Sequence, residues 1–350
     1  MYFYGIALIL ASVMETFNAL RKRIPGSAII MTGLVIFALT LLYAMVIRLV
    51  QPPDSDIMIQ GQSIRYVAMG IFVMILSMSV YLAYRMGQTS RSLEKMIVSV
   101  AEKERLEEQL KIAREIQLHM LPASLPQTAD LDLAGDSVPA LEVAGDYYDA
   151  SILLDGKIAI AIGDVMGKGV GPAMLMSNLQ SSLKVLLQEP YRQLDKIVAN
   201  LNNLIYENSA PEMFITFFIG VYDPYTGELE YVNAGHDAPL LIRRNGISTL
   251  FDGGLLLGAL NDMEYDVGRE RLVPGDIIIA YTDGITEAMN TLEMEFGVDN
   301  LINDTRKMRE DSAKIIVETV LNNVKVFMGG ASDPWDDLTI LAMKVLSLRE

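Results

Sequence analysis

The chain opens in long apolar runs and changes texture twice before it ends. Residues 27–47, SAIIMTGLVIFALTLLYAMVI, carry no charge, and a run of about twenty such positions is enough to cross a bilayer's hydrocarbon core as a helix. Residues 66–84, YVAMGIFVMILSMSVYLAY, repeat the pattern, with tyrosines near both ends where an amphipathic ring suits the membrane interface. Together they predict a transmembrane hairpin. Residues 2–14 are apolar too, but Glu15 interrupts them, and a signal peptide carries its positive charges before its apolar stretch. They are read as a third, partial span. Arg21, Lys22 and Arg23 precede the first firm span and Arg85, Arg91 and Lys95 follow the second, which places both flanks in the cytoplasm. Residues 1–88 are thus expected to be the membrane segment of a multi-pass protein of the cytoplasmic (inner) membrane, with the 48–65 loop too short for a sensor domain.

Residues 89–121 read as a helical linker. Leu106, Leu110, Ala113, Gln117 and Met120 step by four and three, the spacing of a coiled-coil seam. Leu93, Met96, Val100 and Lys103 do the same in another phase. The short step between the two runs is a stammer, which overwinds a coiled coil locally. Two readings stay open: a seam that makes a homodimer, or an amphipathic helix packed on its own domain. Pro122 and Pro126 end the helix.

From 122 to 350 the texture is that of a folded domain facing the cytoplasm. Asp155-Gly156 and Asn245-Gly246 are two-residue hairpin signals, and DPYTG at 223–227 is a longer turn between apolar runs. Helices are expected at about 171–188, 192–208 and 311–326, grouped between the strands instead of alternating with them. That order implies an α+β domain with helices covering antiparallel sheet.

Composition narrows the chemistry. The chain has no cysteine and two histidines, His119 and His236, which excludes thiolate nucleophiles, thiolate zinc sites and histidine-rich metal sites. A formal charge of −16 argues against nucleic acid as a partner, since neutralising its phosphates takes clustered Lys and Arg. Carboxylates are the abundant ligand. Asp146 in EVAGDYYDA, Asp164 closing KIAIAIGD, Asp283 closing DIIIAYTDG and Asp336 opening DDLTILAMKV each sit where an apolar strand candidate begins or ends. Strand ends can converge on one rim of a sheet. Carboxylates crowded there raise one another's pKa until protons or cations intervene, and hard oxygen donors favour Mg²⁺ or Mn²⁺. Two such ions would activate water for phosphomonoester hydrolysis without a cysteine or histidine nucleophile.

Other motifs carry less. Four glycines fall between Gly163 and Gly171, yet GDVMGKG has three residues before its Gly-Lys pair and Gly169 after it, where a Walker loop needs four residues and then Ser or Thr. DLDLA at 130–134 is faintly similar to an aspartyl-phosphate nucleophile motif but has Ala134 in place of the hydroxyl. His236 in NAGHDAPLL is a candidate general acid; the duller reading is a buried histidine bonded to backbone.

In order, AREIQLHMLP, VAGDYYD, IGDVMGKG, MFITFFIGVYDPYTGELEYVNAGHDAPLL, LVPGDIIIAYTDGITEA and DDLTILAMKV resemble the metal-dependent protein serine/threonine phosphatases of the bacterial SpoIIE-like or RsbU-like branch, over about 106–346. The resemblance implies a sandwich of two antiparallel sheets flanked by helices, with two Mn²⁺ or Mg²⁺ ions at one end. It implies that Asp164 bridges the ions, that the Val165 carbonyl completes one coordination sphere, that Asp283 and Asp336 hold the other ion, and that Asp146 ligates directly or through water. Asp337 competes with Asp336. The substrate it implies is a phosphoserine or phosphothreonine on a small anti-sigma-factor antagonist, with the preceding helix dimerising. GHDAP departs from the more usual GHNPP, which leaves Asp237 without an assigned role. A catalytically silent membrane scaffold that binds a phosphoprotein through the same fold is the alternative.

Overall fold

The computed structural model describes residues 26–50, 57–122, 124–188, 193–210, 212–330 and 334–349, with a few positions between 11 and 21. The expected partial span at 2–14 lies outside the described residues apart from Ala11 and Met14. The chain divides into two compact units, Met1–Arg105 and Leu106–Glu350.

The first unit contains α1 (Ser27–Val50) and most of α2 (Ile57–Met120). Both helices contain windows long and apolar enough to cross a membrane, with mean hydropathy 2.5 and 2.0. Their apolar side chains point outward; Leu39 is 59% and Phe72 66% exposed. Small residues bring the two helices together: a Cβ on Gly33 would strike Ser77, and one on Gly70 would strike Thr40. Such contacts suit helices whose other faces have no protein to bury against. Tyr43 and Tyr66 meet edge to face at 5.1 Å. The helix α2 runs unbroken through the junction expected at 88–89, since a lone Gly87 without proline is too weak a breaker to end it.

The second unit is an α+β sandwich. Sheet one has strand order β1 (Leu131–Val138), β11 (Leu338–Val345), β10 (Ile277–Tyr281), β6 (Leu240–Arg243) and β7 (Gly246–Thr249). Sheet two runs β2 (Tyr147–Ile152), β3 (Ile158–Val165), β4 (Ile215–Asp223), β5 (Glu228–Ala234) and β8 (Gly253–Gly254), with β9 (Gly268–Arg271) also paired to β5. All pairs are antiparallel except β5 with β8, a two-residue exception to the expected purely antiparallel sheets. The three turn signals join β2–β3, β6–β7 and β4–β5 as their residues require.

Alternation along the strands builds three cores. Ile158, Ile160 and Ile162 of β3 join Tyr148, Phe218, Ile278, Leu341 and Met343 between the sheets. Ala159, Ala161 and Val165 face the other way, under α3 (Val170–Leu186) and α4 (Leu194–Asn208). Outside sheet one, Ile277 and Ile279 pack under α6 (Gly297–Lys307) and α7 (Ala313–Phe327). The three expected helices correspond to α3, α4 and α7. Sequence reasoning missed α6 and the one-turn α5 (Asp283–Thr286).

The end of α2 follows one of its two open readings. Gln117 is buried; its Nε2 donates to the Ala144 carbonyl at 2.7 Å, and its Oε1 accepts from the Ala144 N–H at 2.9 Å. Gln180 of α3 donates to the Met120 carbonyl. The last turns of the helix therefore pack on their own unit, while Leu106 stays 56% exposed.

Candidate metal centre

The inter-sheet apolar layer gives way to carboxylates at one end of the sandwich. On β3 the face of Ile158, Ile160 and Ile162 continues two residues on to Asp164. On β2 the face of Tyr148 and Ala150 leads back to Asp146; on β11 that of Leu341 and Met343 leads back through Thr339 to Asp337; on β10 Ile278 and Ala280 lead on to Thr282. Antiparallel pairing sets these ends side by side, with Tyr147 opposite Gly163 in sheet two and Tyr281 opposite Ile340 in sheet one. Four scattered stretches of sequence thus share one rim.

Hydrogen bonds hold the rim in place. Thr282 Oγ1 donates to Asp146 Oδ2 at 2.8 Å and accepts from the Thr339 N–H at 3.1 Å. Asp337 accepts from the N–H groups of Ala140 and Gly145, each at 2.7 Å, one on each oxygen. Asp283 opens α5, where the chain turns away from β10. The next residue must be glycine, because a Cβ on Gly284 would overlap the Asp337 carbonyl. Asp336 precedes β11 with a half-exposed side chain; its Oδ1 accepts from the Asp337 N–H at 2.9 Å and its Oδ2 lies 3.0 Å from Lys168 Nζ. The Val165 side chain is buried in the helix-side core, whereas its carbonyl lies 3.1 Å from where a Cβ on Gly145 would stand.

The acids repel one another. Asp164 is pushed up to about 7, first by burial and then by the charges of Asp283, Asp336 and Asp337, against a hydrogen bond from Asp146. Asp146 lies well above the usual carboxylate range, again through burial first and then Asp164 and Asp337. Asp283 is raised by burial and by Asp336, with Lys168 opposing. Asp337 is raised by burial, although its backbone donors pull it down. Further out, Glu287 and Asp237 are raised by burial and by Asp283.

A buried set of hard oxygens that repel one another is what a divalent cation relieves. Among the described residues, no three acidic or histidine side chains are already grouped tightly enough to hold an ion; the carboxylates lean on Thr282, on backbone N–H groups and on Lys168 instead. The donor chemistry fits Mn²⁺ or Mg²⁺, and the ammonium against Asp336 shows where positive charge is drawn. Of the two neighbouring acids, Asp337 has both oxygens engaged by the 140–145 loop, whereas Asp336 is half exposed and holds the Asp337 N–H and the Lys168 ammonium.

His236 is not placed to act as an acid. It is buried, its Nδ1 shares a hydrogen bond with Thr216 Oγ1 at 2.9 Å, and burial lowers its pKa to about 4. Its Nε2 has no hydrogen-bond partner among the described residues. The expected buried histidine is therefore present, with the Thr216 side chain as a partner and the Tyr281 backbone opposing the fall of its pKa. Its loop is fixed by Asn233, which accepts from the His236 N–H at 2.7 Å and donates to the His236 carbonyl at 3.0 Å.

The profile of the Stage II sporulation protein E (SpoIIE) family matches residues 154–346, more than half of the chain. The chain belongs to the SpoIIE family. It is 32% identical over 209 residues to phosphoserine phosphatase RsbU of Bacillus subtilis, covering 59% of each chain. Protein IcfG of Synechocystis is 30% identical over 262 residues, 67% of this chain and 41% of that one. The chain thus spans 41% and 59% of these two relatives' lengths. The SiaA-PP2C domain of Pseudomonas aeruginosa superposes with TM-score 0.61 at 18% identity, over 70% of this chain and 98% of that one. The RsbU and RsbW domains of a Mycobacterium tuberculosis protein do so with TM-score 0.56 at 24% identity, over 66% and 64%. At such identities the structures establish the fold, a PP2C-type sandwich.

Within the SpoIIE match lie Asp164, Lys168, Thr282, Asp283, Asp336 and Thr339, while Gln117 and Asp146 precede it. Sequence reasoning missed Thr282, Thr339 and Lys168. The two threonines had a signal, since each stands beside a predicted acid on the strand face that points between the sheets. Lys168 was weighed only as part of a phosphate loop, and nothing local ties it to Asp336, which is far along the chain.

Proposed function

We propose that this SpoIIE-family protein is a protein serine/threonine phosphatase that hydrolyses phosphoserine or phosphothreonine through two Mn²⁺ or Mg²⁺ ions. The observation that carries this is the rim of Asp146, Asp164, Asp283 and Asp336, contributed by both sheets, in which burial and neighbouring carboxylates raise Asp146, Asp164 and Asp283 above the ordinary range. In the assignment we favour, Asp164 would serve both ions, the Val165 carbonyl would contribute to one, Asp283 and Asp336 would hold the other, and Asp146 would ligate directly or through water. Bound there, the ions would supply Lewis acidity toward the phosphoryl oxygens and lower the pKa of a water between them. The chain's own part is orientation. Thr282 fixes the Asp146 carboxylate, and the backbone donors of Ala140 and Gly145 anchor Asp337, next to Asp336. Such supporting bonds tune ligand geometry and basicity.

The substrate we propose is a small phosphorylated anti-sigma-factor antagonist, supported by the likeness to a relative named phosphoserine phosphatase RsbU. The two apolar helices support anchoring in the cytoplasmic membrane with the phosphatase unit in the cytoplasm, and the exposed apolar positions of the linker, Leu93, Met96, Val100 and Leu106, support a homodimer through that helix. The test is Mn²⁺-dependent phosphate release from a phosphoserine protein by the detergent-solubilised chain. Asp164→Asn and Asp283→Asn are each expected to lower the rate by about 100-fold or more, the upper end of what is lost when a metal's supporting groups are removed. Full activity in both variants would remove the assigned centre.

A further inference from the structure

We infer that Lys168 is the resident counter-cation of Asp336, displaced when a divalent ion takes that carboxylate and then free to bind the phosphate of the substrate. It would be a positioning residue that links metal loading to phosphate binding, and the inference rests on the function proposed above.

The geometry is specific. Lys168 Nζ stands 3.0 Å from Asp336 Oδ2 and also donates to the carbonyl of Trp335, so one ammonium closes on two consecutive residues ahead of β11. It reaches them from the loop after β3, four residues beyond Asp164, and so bridges the two sheets at the rim. The loop is shaped for this: Gly167 and Gly169, on either side of the lysine, have φ of 97° and 94°, a backbone state that side chains other than glycine's rarely adopt. The chain is thereby turned so that Lys168 reaches Trp335 and Asp336.

The pair is built to be broken. Both side chains are about half exposed, at 43% and 50%, and an ion pair this accessible to water holds weakly. A divalent cation carries twice the charge and prefers hard carboxylate oxygen, so it outcompetes a single hydrated ammonium. Lys168 already acts on a second acid, since its charge opposes the rise of Asp283. Once displaced, a flexible four-carbon stem keeps the ammonium near the rim with all three donors available. A phosphate dianion drawn to the ions arrives beside it, and a charge-assisted bond from lysine is a common way to hold such a group.

The chain supplies its own probe, because Trp335 is its sole tryptophan and is 87% exposed. Detergent-solubilised full-length protein, Lys168→Met and Lys168→Arg are titrated with Mn²⁺ by calorimetry and by tryptophan fluorescence. The Mn²⁺-loaded proteins are then titrated with inorganic phosphate. Lys168→Met is expected to bind Mn²⁺ about threefold tighter, having lost a competitor of surface-pair strength, and phosphate about tenfold more weakly, having lost a charged donor. Lys168→Arg should restore most of the phosphate affinity, which shows that folding is not the cause. Unchanged or weaker Mn²⁺ binding by Lys168→Met, or unchanged phosphate binding, would overturn the inference. A wild-type protein that shows both expected linkages yet hydrolyses no phosphoserine protein would instead refute the phosphatase reading and leave the role of Lys168 standing.

Discussion

Asp164 is the residue on which most of the proposed chemistry turns, and its environment gives it a measurable signature. In the folded protein its pKa lies at about 7 against an ordinary 3.8, so between those values the native state keeps a proton that the unfolded chain releases. A raised acid of this kind makes the metal-free protein lose stability as pH rises through that window. Asp146, Asp283 and Asp337 shift in the same direction. His236 acts oppositely, because its pKa is lowered to about 4 from 6.5 and stability is lost as pH falls through that interval. From about pH 8 down to about pH 6.5, above the ordinary histidine value, the carboxylates alone set the slope. The thermal midpoint of chelator-treated protein is therefore expected to rise as pH is lowered across that range, and a flat or falling midpoint would show that the acids do not repel as described. The same crowding explains what the sequence hid. Asp336 and Asp337 are indistinguishable as letters, and only in the fold do the N–H groups of Ala140 and Gly145, nearly two hundred residues away, take both oxygens of Asp337 while Asp336 pairs with Lys168.

The helices and hairpins were legible because their signals are local. Asp155-Gly156 and Asn245-Gly246 each turn the chain between strands that pair at once, and α3, α4 and α7 declare themselves by apolar spacing. What escaped was short or non-local: α6 has a mostly polar sequence with only Leu301 and Thr305 fully buried, and β8 is two glycines whose pairing with Asn233 and Ala234 no pattern foretells. Gln117 is a polar residue in a seam of apolar ones, and the Ala144 backbone it meets accounts for its polarity. Gln117→Ala would leave the Ala144 N–H and carbonyl buried without their partner. The expected cost is about 1–3 kcal/mol, read as a lowered thermal midpoint of the folded unit; an unchanged midpoint would mean that water replaces the side chain freely. Because Ala144 adjoins Gly145 and Asp146, the same variant loosens the loop that anchors Asp337.

Taken together, the chain joins a pair of helices long and apolar enough to cross a membrane and a sandwich whose polar end gathers charge. Both follow from alternation and length, the first from long uncharged runs and the second from strands that are apolar until their last residue. The family match covers β3 to β11 and does not reach α1 or α2, so the proposed anchor rests on length and hydropathy. That four carboxylates meet at one rim is the consequence of antiparallel pairing, which no single motif contains. Whether they meet in order to hold a pair of ions is best answered by anomalous diffraction from crystals of the protein soaked in manganese. Two peaks are expected, with Asp164 touching both and Asp146, Asp283 and Asp336 around them; no peak among these side chains, or manganese bound elsewhere with Asp164 uninvolved, would contradict it.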